Sequence, residues 1–312
     1  MRVLLHYAAG PGLEARLRTL PGLDLRVCPE ADEAGLAEAL PWAEAIWHVL
    51  KPLTASHIAA APRLRLIQKI GVGVNTIDLD AARARGVAVC NLPGTNSRAV
   101  AELTLLLMLG ALRRVAHFDA ETRAGRGWSQ PPLLQDSLFE LGGRTVGLVG
   151  YGAIPALLAP VLAAMGCRLL YTARAPKPEA EGSFRDLDSL LAESDVVSLH
   201  IPETPETRGL IGARAIARMK PGAVLVNTAR GGLVDQAALT GALRSGHLGA
   251  AGLDVFAHEP ADPADPLFSL PNVVVTPHIA WLTTGTFDRS FAIAAENVRR
   301  LAAGEPLLHR VA

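Results

Sequence analysis

The sequence predicts an α/β protein of two domains, each built on a parallel sheet. Three observations carry that prediction. Short apolar runs alternate with helix-length segments from the first residue, and the series restarts after residue 143 with a strand that feeds a glycine-rich turn. Of the 312 residues, 50% are hydrophobic but only 4% aromatic and 19% charged, the aliphatic composition that buried parallel strands and their covering helices require. A chain of this length exceeds one ordinary compact core, which favours two domains over one large one.

In the first series the strand candidates are Val3-Leu4-Leu5, Leu23 to Val27, Ala45 to Trp47, Leu64 to Ile67 and Val87 to Cys90, spaced as βαβ units are. A long helix follows over about Ser97 to Arg114. Its most apolar part, Val100 to Leu112, contains Glu102 and falls short of the roughly twenty residues that span a bilayer, so it reads as a buried core helix and no membrane partner is expected. A stretch punctuated by proline and glycine then runs through Gly143. The second series comprises Thr145 to Val149, Arg168 to Tyr171, Val196 to Leu199, Val224 to Val226, Ala250 to Leu253 and Val273 to Val275, six strands that suit a doubly wound sheet. The final helix, about Thr284 to Ala302, lies beyond the last strand. Its return onto the first series would make that domain discontinuous, residues 1–97 and 284–312, with residues 98–283 inserted.

Thirty basic residues balance thirty acidic ones and no basic run occurs, so the electrostatic footprint of a nucleic-acid binder is missing and a small-molecule partner is expected. Cys28, Cys90 and Cys167 are widely spaced, which argues against a disulfide framework or a zinc site and fits a reducing cytoplasm. Met1 to Tyr7 enters a strand-like run without the apolar core and cleavage site of a signal peptide, so secretion is not indicated.

The segment Val146-Gly147-Leu148-Val149-Gly150-Tyr151-Gly152-Ala153-Ile154-Pro155 is a strand, a glycine turn and the start of an alanine- and leucine-rich helix. A lone GxG is weak evidence. Between a β-type run and a helix, however, the backbone N–H groups from Gly150 and Gly152 through Ala153 and Ile154, together with the helix dipole, would hold a pyrophosphate, which favours dinucleotide binding over a plain tight turn. Pro155 stands where the usual fingerprint has a third glycine. Proline in the first helical turn loses an N–H that had no intrahelical partner, so the helix survives, but its effect on Ile154 is expected to delay the helix start by about a residue.

The second strand of this series ends Leu170-Tyr171-Thr172-Ala173-Arg174, where an NAD enzyme places the acidic residue that holds the ribose 2′-hydroxyl. No carboxylate is present. Ala173 leaves space, and Arg174, with Thr172 and Lys177, offers donors to a 2′-phosphate. NADP(H) is therefore expected to be preferred, with NAD(H) as the alternative. The plainer reading leaves Arg174 a solvated loop residue.

Arg230, Glu259 and His278 lie just beyond late strands, where an open α/β sheet holds its ligands. A cation, a carboxylate and an imidazole suit reduction of a 2-keto acid. Arg230 can grip the substrate carboxylate with its planar fork, His278 can donate the proton, and Glu259 on the other ring nitrogen would favour the imidazolium. Singly, each has a plainer role: a surface ion pair, a turn residue before proline, a hydrogen-bonded loop histidine. Spacing alone does not show that the three converge.

The chain closely resembles the D-isomer-specific 2-hydroxyacid dehydrogenase family across nearly its whole length. The resemblance rests on Lys69-Ile70-Gly71-Val72-Gly73-Val74-Asn75 with Ile77-Asp78, Asn91-Leu92-Pro93-Gly94 with Val100-Ala101-Glu102, Leu199-His200-Ile201-Pro202 with Thr204-Pro205-Glu206-Thr207, and the three segments around Arg230, Glu259 and His278. It implies a flavodoxin-like substrate domain into which a Rossmann cofactor domain is inserted, and usually a homodimer. By resemblance, Arg230, Glu259 and His278 take the substrate-binding, imidazolium-stabilising and acid/base roles. Backbone N–H groups around Val72 and Gly73 would help hold the substrate carboxylate. Asp254 would contact the nicotinamide carboxamide, while Pro202, Thr207, Thr228 and Ala229 line the cofactor cleft, with Thr104 and Ala280 as further carry-overs.

The run Leu170 to Arg174 with Pro176-Lys177-Pro178 resembles the NADPH-using glyoxylate/hydroxypyruvate reductase branch. The end of the chain soon after its last helix leads to the expectation that the regulatory domain of long phosphoglycerate dehydrogenases is lacking. Trp47-His48-Val49-Leu50-Lys51 and Trp281 depart from the commonest family patterns. For Trp281 a pocket wall and a dimer or core contact stay open. Two other readings remain, a cofactor-sensing regulatory protein on the same fold, which Pro155 favours, and a phosphoglycerate dehydrogenase-like enzyme.

Overall fold

The computed structural model describes residues 1–312, apart from the side chain of Leu133. The chain divides into two units, one of Met1–Asn96 with Thr283–Ala312, the other of Ser97–Leu282.

In the first unit the order is β1 (Arg2–His6), α1 (Pro11–Leu17), β2 (Asp24–Cys28), α2 (Glu33–Ala39), β3 (Ala45–His48), α3 (Ala55–Ala59), β4 (Leu66–Lys69), α4 (Leu79–Ala84) and β5 (Ala88–Cys90). The strands form a parallel sheet in the order β2-β1-β3-β4-β5, the flavodoxin-like arrangement expected. β3, β4 and β5 are buried throughout, because helices cover both faces of a parallel sheet; that is why they read in sequence as unbroken apolar runs. The short helices are started by side chains: Asp32 accepts the Gly35 N–H, Thr54 the His57 N–H and Asp78 the Ala81 N–H, each cap contributing about 1 kcal/mol.

The long last helix of the chain (Thr284–Ala303) belongs to this unit. Its apolar residues Phe287, Phe291, Ala294 and Val298 recur at helical spacing and are buried, so one face packs on the sheet. Phe291 lies 5.2 Å from the Trp47 ring of β3 and Phe287 6.0 Å from Tyr7. Burial of each phenylalanine contributes about 2–3 kcal/mol. The same face carries a polar lock, since Asn297 donates to Gln68 Oε1 at 2.7 Å and to the Leu308 carbonyl at 3.1 Å.

The second unit opens with α5 (Ser97–Leu112) and α6 (Val115–Arg123). It then winds through β6 (Thr145–Val149), α7 (Ala153–Ala164), β7 (Arg168–Thr172), β8 (Ser183–Phe184), α8 (Leu187–Glu193), β9 (Val196–Leu199), α9 (Ala213–Arg218), β10 (Ala223–Asn227), α10 (Gln236–Ser245), β11 (Leu248–Leu253) and β12 (Val273–Val275); the closing helix of the chain is thus α11. All seven strands are parallel, in the order β12-β11-β10-β9-β6-β7-β8. From β6 outward this is the Rossmann order, extended by one strand.

The seventh strand, absent from the sequence reading, is β8. It has two exposed residues at the sheet edge, too short and too polar to carry an apolar signature. α5 buries Leu107, Met108 and Ala111, as its composition predicts, but ends at Leu112 rather than Arg114, because Arg114 adopts a left-handed conformation with φ 49° and starts α6. The expected delay at Pro155 does not occur. α7 begins at Ala153 with Gly152 as its cap, and the Ala156 N–H bonds the Gly152 carbonyl at 3.1 Å. Pro155 is therefore the third helical residue, whose N–H would have no intrahelical acceptor in any case.

Three histidines with buried ring nitrogens are held in the neutral form. Both ring nitrogens of fully buried His6 lack a partner among the described residues, as do Nδ1 of His48 and Nδ1 of His200. Burial pushes the pKa of His48 down to about 2, with the Lys69 charge adding to the shift, and that of His200 to about 3; His6 is lowered mainly by burial too. Once unfolded these imidazoles protonate near pH 6.5. Between that value and the depressed folded values the unfolded chain binds more protons, so stability falls as pH falls. Urea unfolding is expected to show a lower midpoint at pH 5 than at pH 7.5. An unchanged or higher midpoint at pH 5 would contradict the burial of neutral imidazoles.

Candidate active site

β6 ends in the glycine turn. Gly150 has φ 97°, and a Cβ there would stand 2.7 Å from Ile201 Cγ2 and 2.8 Å from the His200 carbonyl, so only glycine lets the turn sit against the segment after β9. Its N–H donates to the Thr172 carbonyl at 3.0 Å, which joins this turn to the end of β7. Space is open around Gly152, and the N–H groups of Gly152, Ala153 and Ile154 take no partner among the described residues. Open backbone donors at the start of a helix of twelve residues form a cradle that fits a dinucleotide pyrophosphate. Pro155 removes one donor from its rim.

Beyond β7, Arg174 is exposed and makes no hydrogen bond or ion pair among the described residues, while Ala173 is partly buried beside the core. Two tyrosines that the sequence reading did not use shape this loop. Tyr171 Oη accepts the Lys177 N–H at 2.8 Å and donates to the Lys177 carbonyl at 3.2 Å. Tyr151 Oη accepts the Glu181 N–H at 2.9 Å, and the two rings lie 4.9 Å apart. The loop that presents Arg174 is thereby tied at Lys177 to the strand and at Glu181 to the turn.

The three late loops are knit into one constellation. His278 Nδ1 and Glu259 Oε2 are 2.6 Å apart, both side chains about one-third exposed. Glu259 Oε1 accepts the Phe256 N–H at 3.0 Å. Burial works against the charge of Glu259, but the hydrogen bonds from His278 and Phe256 and the charges of His278 and Arg230 outweigh it and hold its pKa below the ordinary glutamate value. The carboxylate therefore stays ionised at neutral pH, and the Arg230 charge acts on it directly.

Arg230 is set by its turn. Asn227, buried at the end of β10, accepts the Ala229 N–H at 3.0 Å and donates to the Arg230 carbonyl at 2.9 Å. A Cβ on Gly231 would lie 1.8 Å from the Phe256 carbonyl oxygen, so the Arg230 turn can approach the loop of Glu259 only because residue 231 has no side chain.

Asp254, at the end of β11 and fully buried, fixes the third loop. Its carboxylate accepts Thr276 Oγ1 at 2.6 Å and the N–H groups of Ile279 and Ala280, both at 2.9 Å. Its carbonyl accepts the His278 N–H at 2.8 Å. Burial raises the Asp254 pKa although those hydrogen bonds oppose the shift. His278 itself has φ 55°, a left-handed conformation that costs on the order of 1–3 kcal/mol for a residue with a side chain and persists only where the surroundings over-determine it.

The remaining predicted residues take the following places. Thr228 Oγ1 meets Thr104 Oγ1 of α5 at 2.8 Å, and Ala229 packs against the core between Asn227 and Arg230. Thr207 Oγ1 donates to the Pro202 carbonyl and accepts the Thr204 N–H, both at 2.8 Å. In the first unit the Val72 side chain is 45% exposed and its carbonyl accepts Asn91 Nδ2 at 2.9 Å, while Gly73 lies in the same loop after β4. Among the described residues no group of three or more metal-ligating side chains converges.

Gly231→Ala tests the close approach that unites the site. It is expected to cost about 2–3 kcal/mol of stability through overpacking against backbone, measured as a shifted urea midpoint. A midpoint equal to that of the parent would show that the two loops are not in that contact.

Residues 105–280 match the family described as D-isomer specific 2-hydroxyacid dehydrogenase, NAD binding domain. The D-3-phosphoglycerate dehydrogenase of Mycobacterium leprae is 43% identical over 288 residues, covering 91% of this chain and 54% of the relative, so the chain spans about half the length of that protein. The glyoxylate reductase of Aeropyrum pernix is 42% identical over 256 residues, 80% of this chain and 76% of the relative. A crystal structure of the TT0316 protein from Thermus thermophilus superposes with a TM-score of 0.90 at 40% identity, covering 100% of both chains. With the glycine cradle, two parallel sheets and late-loop residues already in place, these matches lead to one conclusion: the chain belongs to the D-isomer specific 2-hydroxyacid dehydrogenase family.

Proposed function

We propose that the protein interconverts a small 2-keto acid and its 2-hydroxy acid, with NADP(H) preferred over NAD(H) and glyoxylate or hydroxypyruvate as substrate. The observation that carries this reading is the 2.6 Å contact between His278 Nδ1 and Glu259 Oε2 beside the charge of Arg230. Nδ1 is committed to the carboxylate, and Nε2 takes no partner among the described residues. In reduction, His278 Nε2 gives its proton to the carbonyl oxygen, and the adjacent Glu259 charge stabilises the imidazolium that must supply it. Arg230 orients the substrate carboxylate through paired donors, and within the first unit the Val72 and Gly73 N–H groups are proposed as substrate-binding. The bound nicotinamide supplies the hydride.

The cofactor cradle proposed is Gly150, Gly152, Ala153 and Ile154 for the pyrophosphate. Thr172 and Arg174 would serve the 2′-phosphate, and Pro202, Thr207, Thr228, Ala229, Asp254 and Ala280 the nicotinamide half. Support for NADP(H) comes from the uncommitted guanidinium of Arg174 and the absence of a carboxylate at residues 172–174. A charge-assisted bond to phosphate contributes about 1.5–3 kcal/mol. The first unit, Met1–Asn96 with Thr283–Ala312, is assigned to substrate and the second to cofactor, in a homodimer of a reducing cytoplasm where Cys28, Cys90 and Cys167 stay free. A phosphoglycerate-type substrate is the second reading, favoured by the 43% identity to the mycobacterial enzyme.

NADPH oxidation is expected with glyoxylate or hydroxypyruvate, and His278→Ala is expected to lower kcat about 10²–10⁴-fold. Undiminished turnover by that variant would sink the acid/base assignment. A steady-state panel that includes phosphohydroxypyruvate separates the two substrate readings. Arg174→Ala should raise KM for NADPH about tenfold or more while leaving NADH nearly unchanged; equal weakening of both cofactors would exclude the 2′-phosphate role.

A further inference from the structure

We propose that Trp281 is a positioning residue for the proton donor, its indole N–H holding the His278 backbone in the left-handed conformation that sets the imidazole against Glu259. The inference rests on the reading of His278 as the acid/base and adds to it a residue outside the charged constellation.

Trp281 Nε1 donates to the His278 carbonyl at 3.1 Å. An indole nitrogen can only donate, so this bond has one sense. On the other side of the same residue, the His278 N–H donates to the Asp254 carbonyl at 2.8 Å. Both polar groups of the His278 main chain are thus held, one from β11 and one from the ring three residues on. A left-handed histidine at φ 55° relaxes toward the broad allowed regions unless something prevents it, and any such relaxation turns the His278 carbonyl and swings the imidazole away from Glu259. Asp254 fastens the following Ile279 and Ala280 amides and the Leu282 N–H closes on the Ile279 carbonyl at 2.8 Å. The half-buried indole completes this turn by bonding to the carbonyl of the histidine itself. A phenylalanine would keep the ring and lose the anchor.

The decisive variant is Trp281→Phe, assayed beside His278→Ala and the double variant. A turn freed at His278 spends part of its time with the imidazole off Glu259, so kcat for reduction should fall about five- to tenfold, the worth of one hydrogen bond. KM for the keto acid and the affinity for NADPH should stay within about twofold, which a wall of the substrate pocket would not allow. A ring that served only to hold the fold would instead lower the stability and the cofactor affinity along with kcat. In the His278→Ala background, Trp281→Phe should cost no more than about twofold further, since an anchor has no catalytic effect without the side chain it aims. Trp281→His, which retains a ring N–H, should recover part of the rate.

Unchanged kcat in Trp281→Phe, with His278→Ala strongly impaired, would overturn the proposal while leaving the acid/base reading intact. A loss that multiplies in full with that of His278→Ala would overturn it as well. A silent His278→Ala would overturn both together.

Discussion

The hydrogen bond between His278 Nδ1 and Glu259 Oε2 is the contact around which the second unit is arranged. Neither residue is placed by its own strand alone. Glu259 is held by the Phe256 N–H and His278 by a turn bonded to Asp254, so the geometry of the pair depends on how β10, β11 and β12 end. Parallel strands deliver these loops to the carboxyl ends of the sheet, and two buried residues there, Asn227 ending β10 and Asp254 just beyond β11, act as brackets. Asn227 satisfies the Ala229 amide of its own loop and Asp254 the Ile279 and Ala280 amides of the loop after β12, where a buried polar group left unpaired would cost about 1–3 kcal/mol.

The electrostatics follow from the same brackets. Asp254 and Glu259 are five residues apart, yet burial raises one and hydrogen bonding with nearby positive charge lowers the other. The lowered carboxylate faces the imidazole as a permanent charge, whereas the raised one is buried and fastens the turn that carries His278. Strain at His278 is tolerated because amides on both sides of it are fastened. Without that fastening a histidine at φ 55° would settle elsewhere.

Much of this was legible in the sequence, though unevenly. Buried parallel strands announce themselves as apolar runs, so the restart at Thr145 and the glycine turn could be found without coordinates. β8 could not, since two exposed edge residues carry no hydrophobic signal. At Pro155 the steric rule for the preceding residue suggested a later helix start, but the absence of any lost bond in the first turn prevailed. The charged members of the site could be named from residue type and the family resemblance. The uncharged ones that align them could not: Gly231 matters only because Phe256, remote in sequence, lies against it, and the hydroxyls of Tyr151 and Tyr171 matter only because the 177–181 loop folds back onto them.

Glu259 and His278 act as one unit, and a double-mutant cycle in kcat/KM tests that most directly. Glu259→Gln and His278→Asn should each cut the rate by orders of magnitude, and the second change should cost little once the first is made. Losses that multiply in full would mean that the two side chains contribute separately, and the short contact between them would have no part in the chemistry.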